Sequence, residues 1–430
     1  MSREAWSACA DPCSLPVTLA IILFAAALAL IASERVDRTK VALAGAVLVI
    51  VTQTIEQDAA FDAIDWNTIG LLAGMMLMVK LTEPTGVYNW LAIKAGQLSG
   101  GRPLPVVLAL GGTTALLSAF LDNLTTMLLV VPITFLLADA LDIDAIPLVI
   151  IEIVVSNIGG TATLIGDPPN ILIAGATGLS FISFITNLAP IAVITFGVVT
   201  TGLYLFYRDR LRAAPDARAR VMELDASRSI EDPDELRRTV PVLIGTILVF
   251  FVHQALHVEP ATVAMGGATV MLFTSRQPLE RTLSGIEWPT LFFFVGLFVM
   301  VGALEETGAI DEVAEGIADL TAGDRTAELL GIAWASALGS ALVDNIPFTA
   351  AMIPVVESLE GDDSYWWALS LGACFGGNAT LVAAAANVAA AGMAARAGQP
   401  IGFMAFLRVG VPVTLVSMIL ATGYIALRYV

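Results

Sequence analysis

The chain has 430 residues, of which 57% are apolar and only 14% are Asp, Glu, Lys or Arg, against about 25% charged in an ordinary soluble domain. A soluble globule of that make-up could not cover its own surface with polar side chains, so cytosolic enzymes, nucleic-acid binders and disordered or collagen-like chains are excluded. With two histidines, three cysteines and a formal net charge of −18, neither a multi-ligand metal centre nor a nucleic-acid partner is expected.

Near-uncharged runs recur from Ser14 to Leu427, each long enough for the roughly 20 residues that a spanning helix needs. The first, Leu15 to Ala32, follows a mixed segment with Glu4 and Asp11 in place of a basic leader, so it reads as a true span. Further spans are expected near 41–55 and 67–82. An apolar pair, 103–121 and 124–140, is joined by the short tip Asp122-Asn123, and spans near 145–176 and 181–207 follow. Segment 208–238, rich in Arg, Asp and Glu with Pro215 and Pro233, reads as a cytoplasmic linker too small to be a catalytic domain. The order then repeats: 240–256, 261–274, 289–304, a second pair 327–343 and 346–358 joined at Asp344-Asn345, then 365–392 and 403–427.

If each pair is a re-entrant hairpin, each half crosses the bilayer five times, and the odd number inverts the second half. The expected fold is an all-α polytopic membrane protein of about 10 transmembrane helices plus two re-entrant hairpins. It divides into a first repeat, 1–207, with hairpin 103–140 and broken helix 145–176; the linker 208–238; and a second repeat, 239–430, with hairpin 327–358 and broken helix 365–392. With the N-terminus outside, 18 of the 21 basic residues fall on the cytoplasmic side, leaving Arg3, Arg325 and Arg428 outside. Cys9 and Cys13 would then face the oxidising side, where pairing and remaining free are both open.

The repeat is visible residue by residue. An offset of 222 aligns Val36 with Val258, Gly45 with Gly267, Trp66 with Trp288, Thr68 with Thr290, Glu83 with Glu305, Ser118 with Ser340, Asp122-Asn123 with Asp344-Asn345 and Pro132 with Pro354. Beyond the hairpins an offset of 217 aligns Gly159-Gly160-Thr161-Ala-Thr163 with Gly376-Gly377-Asn378-Ala-Thr380, and Asn170 with Asn387. Inverted repeats with interrupted helices in matching places point to a secondary transporter whose site lies near the midplane.

Irregular backbone at membrane depth survives only where protein buries it or water fills a cavity, so tips and broken helices are expected to meet around one site. Candidate substrate- or ion-binding side chains are Asn123, Thr125, Thr126, Asn345 and Thr349 at the tips, and Asn157, Thr161, Thr163, Asn170, Asn378, Thr380 and Asn387 along the broken helices. The alternative for each is a helix-to-helix hydrogen bond. Asp122, Asp344, Glu152 and Asp167 are candidate proton carriers, because intramembrane carboxylates are costly and usually functional. Capping is the alternative for the aspartates, with Pro168 suited to the first turn after Asp167. Apart from Lys80, which can snorkel, no Lys or Arg falls in the core of an expected span. A lumen of acids and amides without a fixed cation suits a cation, a proton or a neutral solute.

Three segments resemble a known superfamily: Ser118-Ala-Phe-Leu-Asp122-Asn123-Leu-Thr-Thr-Met, Ser156-Asn157-Ile-Gly-Gly-Thr-Ala-Thr-Leu-Ile-Gly-Asp167-Pro-Pro-Asn170, and Ala341-Leu-Val-Asp344-Asn345-Ile-Pro-Phe-Thr349. They resemble the ion transporter superfamily, in particular the arsenical pump (ArsB/NhaD) permeases and the melanosomal P protein group, which carry a citrate transporter-like domain. The resemblance covers nearly the whole chain. It implies a homodimer with a scaffold and an elevator-type transport domain whose hairpins and broken helices form the site. The expected function is proton-coupled efflux of arsenite or antimonite across the cytoplasmic membrane by a transporter that is not an enzyme. Sodium/proton antiport and citrate or dicarboxylate transport are the alternatives. No cofactor is expected beyond a proton or sodium as coupling ion. Partners are a small inorganic solute or ion, the lipid bilayer and a second copy. No Gly-x-x-x-x-Gly-Lys-Ser/Thr loop occurs, so a soluble cytoplasmic ATPase docked on 208–238 would have to supply any ATP hydrolysis.

Overall fold

The computed structural model describes residues 14–33, 35–100, 102–212, 225–310, 323–359 and 361–430, with residues 222, 314, 316 and 321 between them. Cys9 and Cys13, the middle of the linker and part of the acidic segment 305–328 lie outside the described residues. Among the described residues the secondary structure is helical throughout.

The first repeat runs α1 (Ser14–Ala32), α2 (Arg38–Val51), α3 (Gln57–Asp62), α4 (Trp66–Thr82), α5 (Val87–Leu98), α6 (Pro103–Phe120), α7 (Asn123–Leu141), α8 (Ala145–Gly160), α9 (Pro168–Thr177) and α10 (Phe181–Tyr207). The second runs α11 (Pro233–Val252), α12 (Pro260–Thr274), α13 (Leu279–Ser284), α14 (Trp288–Glu306), α15 (Arg325–Leu342), α16 (Asn345–Ser358), α17 (Ser364–Gly376), α18 (Ala385–Arg396) and α19 (Phe403–Arg428). By length and composition α7, α10, α14 and α19 can each cross a bilayer unaided. Most of the other apolar helices are shorter because the chain breaks within the hairpins (α6–α7, α15–α16) and within the split helices (α8–α9, α17–α18). The surface helices α3, α5 and α13 are additions to the expected spans.

Aspartate sets many of the helix starts. Asp37, Asp65, Asp122, Asp144, Asp232, Asp324 and Asp344 each accept the first free N–H groups of the helix that follows. These carboxylates sit where the helix dipole favours negative charge, so part of the acidic balance is spent on architecture.

The repeats interlock. Gly74 of α4 lies so close to α12 that a Cβ on it would come within 2.7 Å of the Ala264 backbone, and Gly296 of α14 meets the Ala42 backbone of α2 at 2.6 Å in the same way. Both glycines and both alanines are 222 apart, so one crossing is built twice. Inside each repeat the hairpin's first leg lies against the split helix, Gly159 on Ala115 and Gly376 on Ala337. Between repeats, α9 packs on α16 and α18 on α7. The offset of 217 does not persist to the end. The last helices, with internal Pro190 and Pro412, return to 222, because α18 and the loop after it are longer than α9 and its loop.

Candidate functional site

The two tips end on the same grammar. At the first, the chain leaves the helix at Leu121, and Asp122 restarts it, its carboxylate accepting the Thr125 N–H at 2.8 Å and the Thr125 hydroxyl at 2.5 Å. Asn123, 4% exposed, accepts from the Ser118 hydroxyl and donates through Nδ2 to Asn157 Oδ1 at 3.2 Å. At the second, Asp344 accepts the Ile346 N–H at 2.9 Å through one oxygen and Arg38 Nη1 at 3.0 Å through the other. Asn345 donates to Asp167 Oδ1 at 3.2 Å, so the second tip is tied to the first split helix.

The split-helix loops are stapled alike. Asn170 donates to the carbonyls of Thr161 and Thr163 at 3.1 and 2.8 Å, and Asn387 donates to those of Gly377 and Thr380 at 2.7 and 2.9 Å. The Thr163 hydroxyl donates to the Ala119 carbonyl and the Thr380 hydroxyl to the Ala341 carbonyl, holding each loop to the end of its own hairpin leg. Thr161 and Thr349 donate to the carbonyls four residues back. Asn157 joins the repeats, donating to Asn378 Oδ1 at 2.9 Å and Asn387 Oδ1 at 3.1 Å. Four buried atoms among these residues have no protein partner: Thr126 Oγ1, Glu152 Oε2, Asp167 Oδ2 and Asn378 Nδ2.

Between the tips lies a cavity of about 40 Å³, room for two or three water molecules. Its polar lining is Arg38, Asp122, Asn123, Asp167, Glu287, Thr290 and Asn345, with Leu72 and Met76 closing it. Four of the expected residues, Asp122, Asn123, Asp167 and Asn345, therefore share one space. Asp344 joins it through Arg38 and also lines a cleft of about 460 Å³ with Ile31, Asp37 and Val388. Thr125, Thr126, Asn157, Thr161, Thr163, Asn170, Thr349, Asn378, Thr380 and Asn387 do not line the cavity. Glu152 stands apart on α8, 1% exposed, accepting the Thr134 hydroxyl at 2.5 Å. A second cleft of about 300 Å³ carries Asp62, Asp65, Glu305 and Glu357.

The lumen is not free of fixed cations, which corrects the reading from span positions. Arg38 is the first residue of α2, and its guanidinium lies over the Phe293 ring at 5.1 Å while pairing with Asp344. The helix begins at Arg38, three residues before the expected span, so its capped first turn lies against the second tip. Arg38 leaves no mark in the repeat, because its counterpart is Pro260. Glu287 and Thr290 were not among the expected residues; the repeat is the signal that points to them, since they stand 222 after Asp65 and Thr68, a pair bonded to each other at 2.5 Å as Thr290 bonds Glu287 at 3.3 Å.

Residues 28–372 match the family model described as citrate transporter. The chain is 42% identical to an uncharacterized transporter of Mycobacterium tuberculosis over 422 residues, 96% of this chain and 98% of that one. It is 31% identical to the human P protein over 503 aligned residues, covering 96% of this chain and 60% of the relative. Among solved structures, the YdaH transporter of Alcanivorax borkumensis superposes with a TM-score of 0.60 at 13% identity, covering 96% and 98% of the two chains. That similarity shows the fold, a polytopic all-α membrane protein.

Proposed function

The chain belongs to the citrate transporter family and is a membrane transporter, and from that premise we propose that it is a proton-coupled secondary carrier exporting a small inorganic solute, arsenite or antimonite, across the cytoplasmic membrane. The observation that carries this reading is the cavity between the tips, where Asp122, Asp167 and Glu287, with Asp344 alongside, outnumber the single guanidinium of Arg38. Two like charges about 4 Å apart at an effective dielectric near 20 repel by roughly 4 kcal/mol, about a thousandfold in affinity, so a dianion enters this space at a large cost. A neutral trihydroxide escapes that cost, since carboxylates can accept from its hydroxyls and the asparagine amides can both accept from and donate to them. The same carboxylates can take up a proton when the solute leaves.

Movement follows from which parts are fastened to which. The hairpins and split helices are stapled to one another through Asn157, Thr163 and Thr380, and they meet the α2, α4, α12, α14 frame at contacts such as Arg38–Asp344. We read the first group as an elevator-type unit sliding against a dimeric scaffold, with the clefts at Asp344 and at Glu357 as its two sides of access.

Arg38 favours a second reading, a citrate or dicarboxylate carrier, because a guanidinium freed from Asp344 would pair with a substrate carboxylate. Uptake of arsenite, sodium and citrate by everted vesicles, assayed in parallel under an imposed pH gradient, separates the readings. Arsenite uptake that collapses with the gradient is the expected result. Sodium-independent uptake of citrate at micromolar concentration overturns it in favour of the carboxylate carrier.

A further inference from the structure

The two longest helices form a groove that takes no part in the cavity. The last third of α10 supplies Val199, Leu203 and Phe206, and the start of α19 supplies Pro412, Val413 and Val416, enclosing about 300 Å³. The helices run antiparallel, since the Tyr424 hydroxyl near the end of α19 donates to the Asn187 carbonyl near the start of α10, and the groove follows α10 from Val198 to Phe206, eight residues or about 12 Å. With 27 and 26 residues they are about 40 Å long, against roughly 30 Å of hydrocarbon. The Phe206 end of the groove therefore opens near the interface and its other end lies within the acyl region.

Every lining residue but one is apolar or glycine. The exception, Arg408, is exposed and pairs with no carboxylate among the described residues, and Arg208, two residues beyond Phe206, is exposed and unpaired in the same way, whereas Arg210 and Arg212 are held by Asp144 and Asp209. Gly202 keeps the wall open, since a Cβ there would meet nothing within 4 Å. We propose that this groove binds an anionic phospholipid, one acyl chain lying along α10 and α19 and the headgroup phosphate held by Arg408. An apolar slot about 12 Å long with exposed guanidinium charge at its mouth suits an acyl chain that ends in a phosphate, and that charge favours a headgroup with no cation of its own over a zwitterionic one.

Native mass spectrometry of the full-length protein in detergent, with phosphatidylglycerol and phosphatidylcholine at equal concentration, tests this. Wild type should retain phosphatidylglycerol about fivefold over phosphatidylcholine, near the worth of one basic residue at a membrane surface. Arg408→Gln should erase the preference, Arg408→Lys should keep it, and Gly202→Leu, which fills open space and leaves the fold intact, should lose bound lipid of both kinds. Equal retention of the two lipids by wild type, or undiminished preference in Arg408→Gln, overturns the proposal. So does conversion of a dimer to monomer by Gly202→Leu without loss of lipid, which would assign the groove to a second copy.

Discussion

The two hairpin tips make the most instructive comparison in the molecule. Asp122 and Asp344 stand 222 residues apart, each begins the second leg of its hairpin, and each is followed by a buried asparagine. Around them the fastening is duplicated: Thr163 on Ala119 and Thr380 on Ala341, Asn170 and Asn387 across their loops. The differences lie in charge and in what each asparagine holds, Asn123 bonding Ser118 and Asn157 and Asn345 bonding Asp167. Asp344 meets Arg38, while Asp122 bonds within its own turn. The first split helix restarts at Asp167-Pro168-Pro169, placing a buried carboxylate and no free N–H at its start, whereas the second restarts at Ala384-Ala385-Ala386. Duplication has kept what holds the frame, and divergence has fallen on what faces the cavity.

The largest expected effect separates the tips directly. Asp122→Asn and Asp344→Asn should each abolish transport driven by a pH gradient, since an amide keeps the shape and loses the exchangeable proton. Their stabilities should differ. Asparagine caps a helix about as well as aspartate, so Asp122→Asn should leave thermal unfolding within about 0.5 kcal/mol of wild type. Asp344→Asn strands a half-buried guanidinium, as Arg38→Gln strands a buried carboxylate, and each should cost about 3 kcal/mol. The double variant should recover much of that loss, because coupled neighbours are non-additive by 0.5–3 kcal/mol. Equal melting of the two Asp→Asn variants, or strict additivity in the Arg38 and Asp344 cycle, would break the contrast between the tips.

The duplicated frame predicts the opposite pattern, likeness. A methyl group at Gly159 would strike the backbone of Ala115, and one at Gly376 the backbone of Ala337. Gly159→Ala and Gly376→Ala should each destabilise by about 1–3 kcal/mol through overpacking. The two values, read from thermal unfolding of the purified protein, should agree within about 0.5 kcal/mol. A large inequality would mean that the two crossings are not equivalent after all.

What the sequence disclosed follows the same division. The repeat offset, the Asp-Asn tips and the Gly-Gly breaks were legible because duplication wrote each of them twice, and Trp66 with Trp288 marked where α4 and α14 begin. Arg38 was not legible, because it occurs once and its place at the second tip depends on how the start of α2 packs against the other repeat. The amides of Asn170 and Asn387 and the hydroxyls of Thr163 and Thr380 resemble ligands in a list of polar residues. Only their bonds to carbonyls show that their donors hold loops. Nothing in residue type distinguishes a polar group that faces the cavity from one that staples the backbone behind it.

The smallest expected effect lies at the bases of the hairpins, where the repeats again use different pairs for one purpose. Arg325 at the start of α15 holds Asp362 before α17 at 2.5 Å, and Arg210 after α10 holds Asp144 before α8, its Nε at 3.0 Å. Burial pushes the Asp362 carboxyl up, but bonds from the Ser364 hydroxyl and N–H and the Arg325 guanidinium outweigh it and leave the group below its ordinary value. A carboxyl lowered on folding contributes stability that is fully present above its unfolded value, about 3.9, and is lost as pH falls through the folded value. Both partners are about half exposed, with side chains 49% and 54% accessible, so solvent screening limits the pair to about 0.2–1 kcal/mol. Asp362→Asn should therefore lower the melting temperature slightly at pH 7, and the gap to wild type should close below about pH 4 and in 1 M salt. A gap that survives both conditions would assign the contribution to the Ser364 bonds and remove charge from the fastening of the second hairpin.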